Sequence, residues 1–263
     1  CGCDTNLLRS PQSLPWLRLG TWVGGDRDGH PFVTAEVTAH TLADLREHAL
    51  QLLRHHLSDL AHQLSLSDHF QQPPVTLSCM IARLTAQLGE RERCAIQLNS
   101  EESWQLLVNL IRARLPAMNL HSEGGQARQV GTSYRRASEL LDDLSLLYEA
   151  LVEVGAALLA ENGVQPVMRA VQTFGFHLAT LDIRQNSRFH DLAVAQLLAA
   201  AGQRQTDFPH WDETRRLQFL DQELASPRPF LRADTQAGVE ADAVLSCYRV
   251  LVEHLHAYGR DGL

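Results

Sequence analysis

The stretch FGFHLATLDIRQNSR, residues 174–188, decides the fold, because apolar and polar residues alternate along much of it. A two-residue period is typical of a β-strand and predicts a strand over 176–184. One face of that strand would change from apolar to charged toward its carboxyl end. That face carries Phe176, Leu178, Thr180, Asp182 and Arg184. In a parallel barrel this end faces the ligand-binding mouth, so Asp182 and Arg184 either face a binding site or simply pair with each other.

A second informative stretch, GTWVGGDRDGHP at residues 20–31, joins a predicted strand near 20–25 to a polar turn. Its paired glycines would allow another backbone or an anionic ligand to approach closely. Two carboxylates flank one guanidinium and can fix the orientation of its fork. The same letters also fit an Asp-Gly turn with a local ion pair, and the tryptophan also fits an ordinary core position. The candidate residues are Trp22, Asp26, Arg27 and Asp28.

Most of the remaining chain has the three- or four-residue apolar spacing of amphipathic helices. We predict long helices over 34–66 and 132–161, and three further helices within 187–258. Thr34 is expected to cap the first helix, and Asn162-Gly163 to end the second. The fold class is therefore mainly α with two short β-strands. Two lone strands do not form a stable sheet. They therefore either pair with each other inside a helical shell or have partner strands in parts of the polypeptide outside these residues.

Composition excludes several classes of function. The 263 residues hold 23 basic and 31 acidic side chains, for a net charge of -8, which disfavours nucleic acid as a partner. Every basic residue is Arg, so a Schiff-base lysine and a phosphate-loop lysine are both excluded. The apolar runs are too short to cross a membrane, and the histidines lack the spacing of a metal site. Unpaired cysteines predict a reducing compartment, and a first residue other than Met predicts a piece of a longer chain.

The two motifs together resemble those of one enzyme family. WVGGDRDGHP at 22–31 closely resembles the W-x-G-G-D-R-D-G-N-P segment of phosphoenolpyruvate carboxylases, and Phe174-Gly175 with LDIRQNS at 181–187 resembles their F-G and L-D-I-R-Q-E-S segment. The likeness continues through residues 219–231 and so covers nearly the whole chain. His30 stands where the family has Asn, and Asn186 where it has Glu.

This resemblance implies a large, mostly helical protein built around an eight-stranded TIM-type barrel, with residues 1–263 as a central segment that holds part of the barrel. It implies a lyase of carbon dioxide fixation, which converts phosphoenolpyruvate and bicarbonate to oxaloacetate and phosphate and replenishes the tricarboxylic acid cycle. Such enzymes are usually cytoplasmic homotetramers that use Mg²⁺ or Mn²⁺. The expected partners are the two substrates and the rest of the same polypeptide.

By the same resemblance, Arg184 would hold the substrate phosphate. The adjoining wall of the substrate site would be formed by Asp182, Trp22, Asp26, Arg27 and Asp28. No catalytic residue and no metal ligand is expected here, because the family's H-P-T-E histidine lies upstream and its metal carboxylates lie downstream. The segment alone would then be inactive. The alternative is a non-catalytic helical domain of this fold that binds an anion, regulates a partner or serves as a scaffold.

Overall fold

The fold is mainly helical, in a computed structural model that describes residues 17–28, 30, 32–88, 101–116, 133–232 and 235–263. Two short strands accompany the helices, as the sequence predicted. The α-helices are α1 Ala35–Gln63, α2 Val75–Gln87, α3 Ser103–Ala113, α4 Ala137–Glu153, α5 Ala157–Leu159, α6 Gln165–Phe174, α7 Ser187–Ala200, α8 Glu213–Ala225 and α9 Val239–Tyr258. A π-helical turn spans Ala160–Val164, and a 3₁₀ turn spans Phe208–His210. No helix in these ranges is long and apolar enough to span a membrane.

The strands β1 (Gly20–Thr21) and β2 (Thr180–Leu181) pair with each other. The Thr180 N–H donates to the Leu19 carbonyl at 2.9 Å, and the Asp182 N–H donates to the Thr21 carbonyl at 2.8 Å. Pairing continues past the strands through a parallel bridge between Asp26 and Arg184. The sequence left open whether the two strands pair with each other, and within the described residues they do.

The second strand is shorter than its sequence period suggested. We expected extended backbone over 176–184, but Leu178 adopts φ 63°. Its N–H donates to the Phe174 carbonyl at 2.8 Å, so residues 174–178 form a turn that ends α6. The extended region begins only after this turn. Alternation of exposure then holds, with Leu181 buried and Asp182 and Arg184 exposed.

The second long helix also differs from the expected 132–161, whose first residue lies outside the described residues. Helix α4 ends at Glu153, and Gly155 follows with φ 81°. That left-handed geometry suits glycine and ends a helix. Asn162 and Gly163, expected to end the helix, lie within the π-helical turn that leads into α6. Helix α1 spans Ala35–Gln63 rather than 34–66, and the Val37 N–H donates to the Thr34 Oγ1 at 3.3 Å, as expected of a cap.

The described chain divides into two compact units. Unit 1 consists mainly of residues 43–180. Its core joins the apolar faces of α1, α2, α3, α4 and α6. The fully buried members include Leu53, Leu57, Leu60, Leu77, Leu84, Leu107, Ile111, Leu140, Leu144 and Leu147. Because these leucines recur at helical spacing, burying one stripe per helix accounts for the bundle.

One buried carboxylate, Asp143, links several elements of unit 1. Its Oδ1 accepts from Arg83 at 2.5 Å, and its Oδ2 accepts from Arg114 at 3.0 Å. The Tyr134 hydroxyl also donates to Oδ2, at 2.6 Å, and the Arg114 guanidinium lies 4.3 Å from the centroid of the Tyr134 ring. A buried charge needs such partners, so this network fixes α4 against α2 and the end of α3.

Unit 2 comprises residues 20–42 and 181–261. Helices α7 and α9 pack together in it. The Gln196 amide joins them: it accepts from the Ala241 N–H at 2.9 Å and donates to the Glu240 carboxylate. An aromatic cluster brings Phe219 of α8 together with Phe208, Trp211 and Phe230. All six candidate site residues belong to unit 2.

Candidate functional site

The two motif segments meet backbone to backbone. The Arg184 N–H donates to the Gly25 carbonyl at 3.0 Å, and the Arg27 N–H donates to the Arg184 carbonyl at 2.9 Å. A Cβ added to Gly25 would overlap the Asp182 carbonyl oxygen and lie 3.1 Å from the Leu181 Cγ. Glycine is therefore required at this position by the approach of the second segment, which is one of the two uses that the sequence suggested for the glycine pair.

Arg184, Asp182 and Trp22 come together on the exposed side of the paired strands. The Arg184 Nη2 donates to the Asp182 Oδ2 at 2.9 Å, and the guanidinium carbon lies 5.0 Å from the centroid of the Trp22 ring. The side chains of Arg184 and Asp182 are 49% and 53% exposed, and Trp22 is 58% exposed. Trp22 is thus not a core residue. It forms a surface on which the guanidinium rests, and the ion pair expected as one alternative for Asp182 and Arg184 is formed.

The Arg27 side chain takes a different direction from the one the sequence suggested. We expected its guanidinium to lie between Asp26 and Asp28, but Nη2 donates to the Thr38 Oγ1 at 2.5 Å and to the Thr34 carbonyl at 3.3 Å. Thr38 is fully buried, and its hydroxyl also donates to the Gly24 carbonyl at 2.7 Å. The start of α1 offers oxygens that are already fixed by the helix, and these hold the fork in place of the two neighbouring carboxylates.

Asp26 and Asp28 instead order the turn and the helix that follows β2. The Asp28 N–H donates to the Asp26 Oδ1 at 3.0 Å, and the Asn186 amide donates to the Asp28 Oδ1 at 3.2 Å. The Asn186 Oδ1 accepts from the Arg188 N–H at 2.8 Å and so caps α7. Asn186 was singled out only as a departure from the family motif. Its position just before a predicted helix start was the signal for a cap.

A small cavity lies on the other side of the second segment from Arg184. It has a volume of about 70 Å³, and Ile183, Gln185 and Arg27 contribute to its lining. The alternation of the strand explains this division, because Ile183 and Gln185 point opposite to Asp182 and Arg184. Cys247 on α9 is also part of the lining. Burial raises the pKa of its thiol, and the neighbouring Arg27 guanidinium opposes that rise.

Metal-binding geometry is absent from the part of the chain that the structure describes, where no group of three His, Cys, Asp or Glu side chains comes together. Asp182 is paired with Arg184, and Asp26 and Asp28 accept from a backbone N–H and from an amide.

Comparison with known proteins identifies the family. The profile of the phosphoenolpyruvate carboxylase family matches residues 4–263. A phosphoenolpyruvate carboxylase of Aromatoleum aromaticum is 35% identical over 248 residues, which make up 93% of this chain and 26% of that protein. The enzyme of Azorhizobium caulinodans is 36% identical over 91% of this chain, and that of Nocardia farcinica is 36% identical over 95%, each again matched over 26% of its own length. The chain thus spans about a quarter of the relatives that it matches, and it belongs to the phosphoenolpyruvate carboxylase family.

Proposed function

We propose that this chain is part of an enzyme that carboxylates phosphoenolpyruvate with bicarbonate to give oxaloacetate and phosphate, and that Arg184 holds the substrate phosphate. The observation that carries the proposal is the position of Arg184, which lies at the end of a paired strand and rests on Trp22 at 5.0 Å. The family membership supports the reaction, and the exposure of this side chain supports the role.

The guanidinium of Arg184 has the chemistry that the role needs. Asp182 takes one of its N–H groups, and the guanidinium carries five in a planar fork that matches the oxygens of a phosphate. The carboxylate and the indole ring fix the direction of the fork before substrate arrives. A preorganised cation of this kind stabilises the negative charge that moves onto the phosphate during transfer.

The other candidate residues would support this guanidinium. We propose that Trp22 and Asp182 form the wall of the substrate site beside Arg184. Asp26, Arg27 and Asp28 would act indirectly, by fixing the turn that pairs with Arg184. Their hydrogen bonds hold the turn itself and connect it to α1 and to Asn186. We assign no catalytic residue to the chain.

The proposed reaction uses Mg²⁺ or Mn²⁺. The described residues do not fit such an ion, since no three potential ligands come together and the three site carboxylates already accept hydrogen bonds. We therefore assign the metal ligands to other parts of the polypeptide and assign no step through the metal to this chain.

We further propose that β1 and β2 are two strands of an eight-stranded TIM-type barrel, which other parts of the polypeptide complete. Two paired strands of two residues each do not make a stable sheet, which supports additional strands beside them. The intact enzyme would be a cytoplasmic homotetramer whose oxaloacetate replenishes the tricarboxylic acid cycle.

The test is the kinetics of an Arg184→Ala variant of the native polypeptide. Loss of a guanidinium that pairs with a phosphate should raise KM for phosphoenolpyruvate about 30-fold or more. Arg184→Lys keeps the charge and loses the planar fork, so it should recover only part of the affinity. Arg204→Ala, which removes an exposed arginine of the same unit, is the matched control and should leave KM unchanged.

Two results would contradict the proposal. Equal KM values for Arg184→Ala and Arg204→Ala would remove the assignment of the phosphate site while leaving the reaction intact. Absence of oxaloacetate formation by the native polypeptide with both substrates and metal would remove the reaction itself. It would favour the alternative, a helical anion-binding, regulatory or scaffold domain of the same family.

A further inference from the structure

The small cavity of unit 2 contains a cationic group with unused hydrogen-bonding capacity. Its volume is about 70 Å³, and its polar lining includes Arg27, Gln185 and Tyr248, with the thiol of Cys247 beside them. This volume suits an ion of three or four heavy atoms and is too small for a metabolite of drug size. The cavity lies on the face of the second segment opposite Arg184, so it is separate from the proposed phosphate site.

The Nη1 of Arg27 is the unused group. This atom is buried and has no hydrogen-bond partner among the described residues, although the Nη2 of the same fork bonds to Thr38 and Thr34. The Arg27 side chain also forms a hydrogen bond with the Cys247 thiol, but a thiol is only a weak acceptor and Nη1 stays without a partner. Leaving a buried charged donor unpaired is costly, so a buried guanidinium nitrogen without a partner calls for an ion or another acceptor.

The charges around the cavity favour an anion. No acidic residue lines it, and His190 is its other titratable lining residue besides Arg27, Cys247 and Tyr248. A larger opening of about 400 Å³ also borders Arg27 and Gln185, but it contains Glu36, whose carboxylate would repel an anion there. The smaller cavity is therefore the better place for a negative charge.

We propose that this cavity binds a small monovalent oxyanion of the carboxylate or nitrate type, held by the Nη1 of Arg27 with Gln185 and Tyr248 as further polar partners. One positive charge balances one negative charge, and the aliphatic side chains of Ile183 and Val244 line the remaining wall. A divalent anion would keep an uncompensated charge in a partly apolar cavity, which is unfavourable. The anion would also join the glycine-rich turn to α9, because its partners Arg27 and Tyr248 belong to those two elements.

The cysteines provide a direct test in the native polypeptide. Cys247 lines the cavity and Cys79 is exposed in unit 1, so a small thiol reagent followed by peptide mass spectrometry reports both labelling rates in one sample. Sodium formate or sodium nitrate at about 50 mM should slow labelling of Cys247 about threefold and leave Cys79 unchanged, as expected for a site built on one charge-assisted bond. Methanesulfonate at the same concentration carries the same charge but is bulkier, and it should protect neither thiol.

Two variants separate binding from folding. Arg27→Gln removes the charge, but it also removes bonds to Thr38 and Thr34 and can disturb the turn. Val244→Phe fills the cavity and leaves those bonds in place. Both should abolish protection by formate, and both should narrow the ¹³C-formate NMR line that the unaltered protein broadens. This second readout does not depend on how readily the reagent reaches the thiol.

Three outcomes would overturn the inference. The first is equal protection of Cys79 and Cys247, which would reveal a general salt effect. The second is the absence of any formate effect on both the thiol and the NMR line. The third is protection that persists in Val244→Phe, since the ion would then be bound elsewhere. The kinetic test of Arg184 does not depend on any of these results.

Discussion

The guanidinium of Arg184 lies over the indole ring of Trp22, with 5.0 Å between its central carbon and the ring centroid. The two residues come from separate motifs and meet because the backbone of Thr21 pairs with Asp182 and the backbone of Gly25 and Arg27 pairs with Arg184. The contact accounts for a tryptophan at this exposed position, which burial in the core does not explain. Arg184 is thereby held in one direction by a ring and by the Asp182 carboxylate.

Replacing Trp22 should weaken substrate binding without removing it. An exposed cation–π contact contributes about 0.5–1 kcal/mol, so Trp22→Leu should raise KM for phosphoenolpyruvate about two- to fivefold in the native polypeptide. Trp22→Phe keeps a ring face, so its KM should lie between that of the unaltered polypeptide and that of Trp22→Leu. Steady-state kinetics would check this, and the expectation fails if Trp22→Leu and Trp22→Phe have the same KM.

Gly25 should tolerate no side chain, because the Asp182 carbonyl occupies the space. We expect Gly25→Ala to lower the free energy of unfolding by about 1–3 kcal/mol, since the paired segments must separate. Gly202 has φ 72° and open space around it, so Gly202→Ala should cost only about 1 kcal/mol from backbone strain. Urea denaturation of both variants gives the comparison. A smaller loss for Gly25→Ala than for Gly202→Ala would contradict it.

Asp143 should be the most sensitive polar position of unit 1. Its side chain is 5% exposed and accepts from Arg83, Arg114 and Tyr134. Asp143→Ala removes the carboxylate that pairs with the largely buried Arg114 guanidinium and should cost about 3 kcal/mol of unfolding free energy. Its exposed neighbour Asp142 is the matched control, and Asp142→Ala should stay within about 0.5 kcal/mol of the unaltered chain. Equal losses at the two positions would show that the network contributes little.

Stability should fall at high pH because of Tyr134. Burial, together with the Asp143 carboxylate, raises the pKa of Tyr134 well above its usual value of about 10. The native state then keeps the phenol proton at a pH where the unfolded chain releases it, so ionisation favours unfolding as the pH rises through about 10. Tyr134→Phe should be less stable at neutral pH by about 1–2 kcal/mol, because Asp143 loses a donor, but its loss above pH 10 should be smaller. Parallel pH profiles for the two proteins would contradict this.

Asn186 should both cap helix α7 and link the two motifs through its hydrogen bond to Asp28. Asn186→Asp keeps an oxygen for the Arg188 N–H but replaces the donor to Asp28 with a second carboxylate. We expect helix α7 to persist by circular dichroism while KM for phosphoenolpyruvate rises, because the repelled turn no longer fixes Arg184. In Asn186→Ala the cap is lost as well, at a cost of about 1 kcal/mol. An unchanged KM in Asn186→Asp would show that the hydrogen bond between Asn186 and Asp28 does not help to position Arg184.

The sequence by itself was enough for the helical character, the presence of two short strands and the family, but it left open whether the strands pair with each other. Leucines at steps of three or four predict α1 and α4 because a helix buries one stripe, and alternation after Thr180 places Asp182 and Arg184 on one side because successive strand residues point in opposite directions. Only the tertiary structure decided where the strand starts. Leu178 adopts a left-handed backbone conformation that is unfavourable for leucine and that nothing in the sequence indicates. The tertiary structure also decided the direction of Arg27. That guanidinium has neighbouring carboxylates in the sequence, but folding brings the oxygens of Thr34 and Thr38 near it, and these accept its hydrogen bonds instead. No local sequence pattern encodes which acceptors a long, flexible side chain will meet.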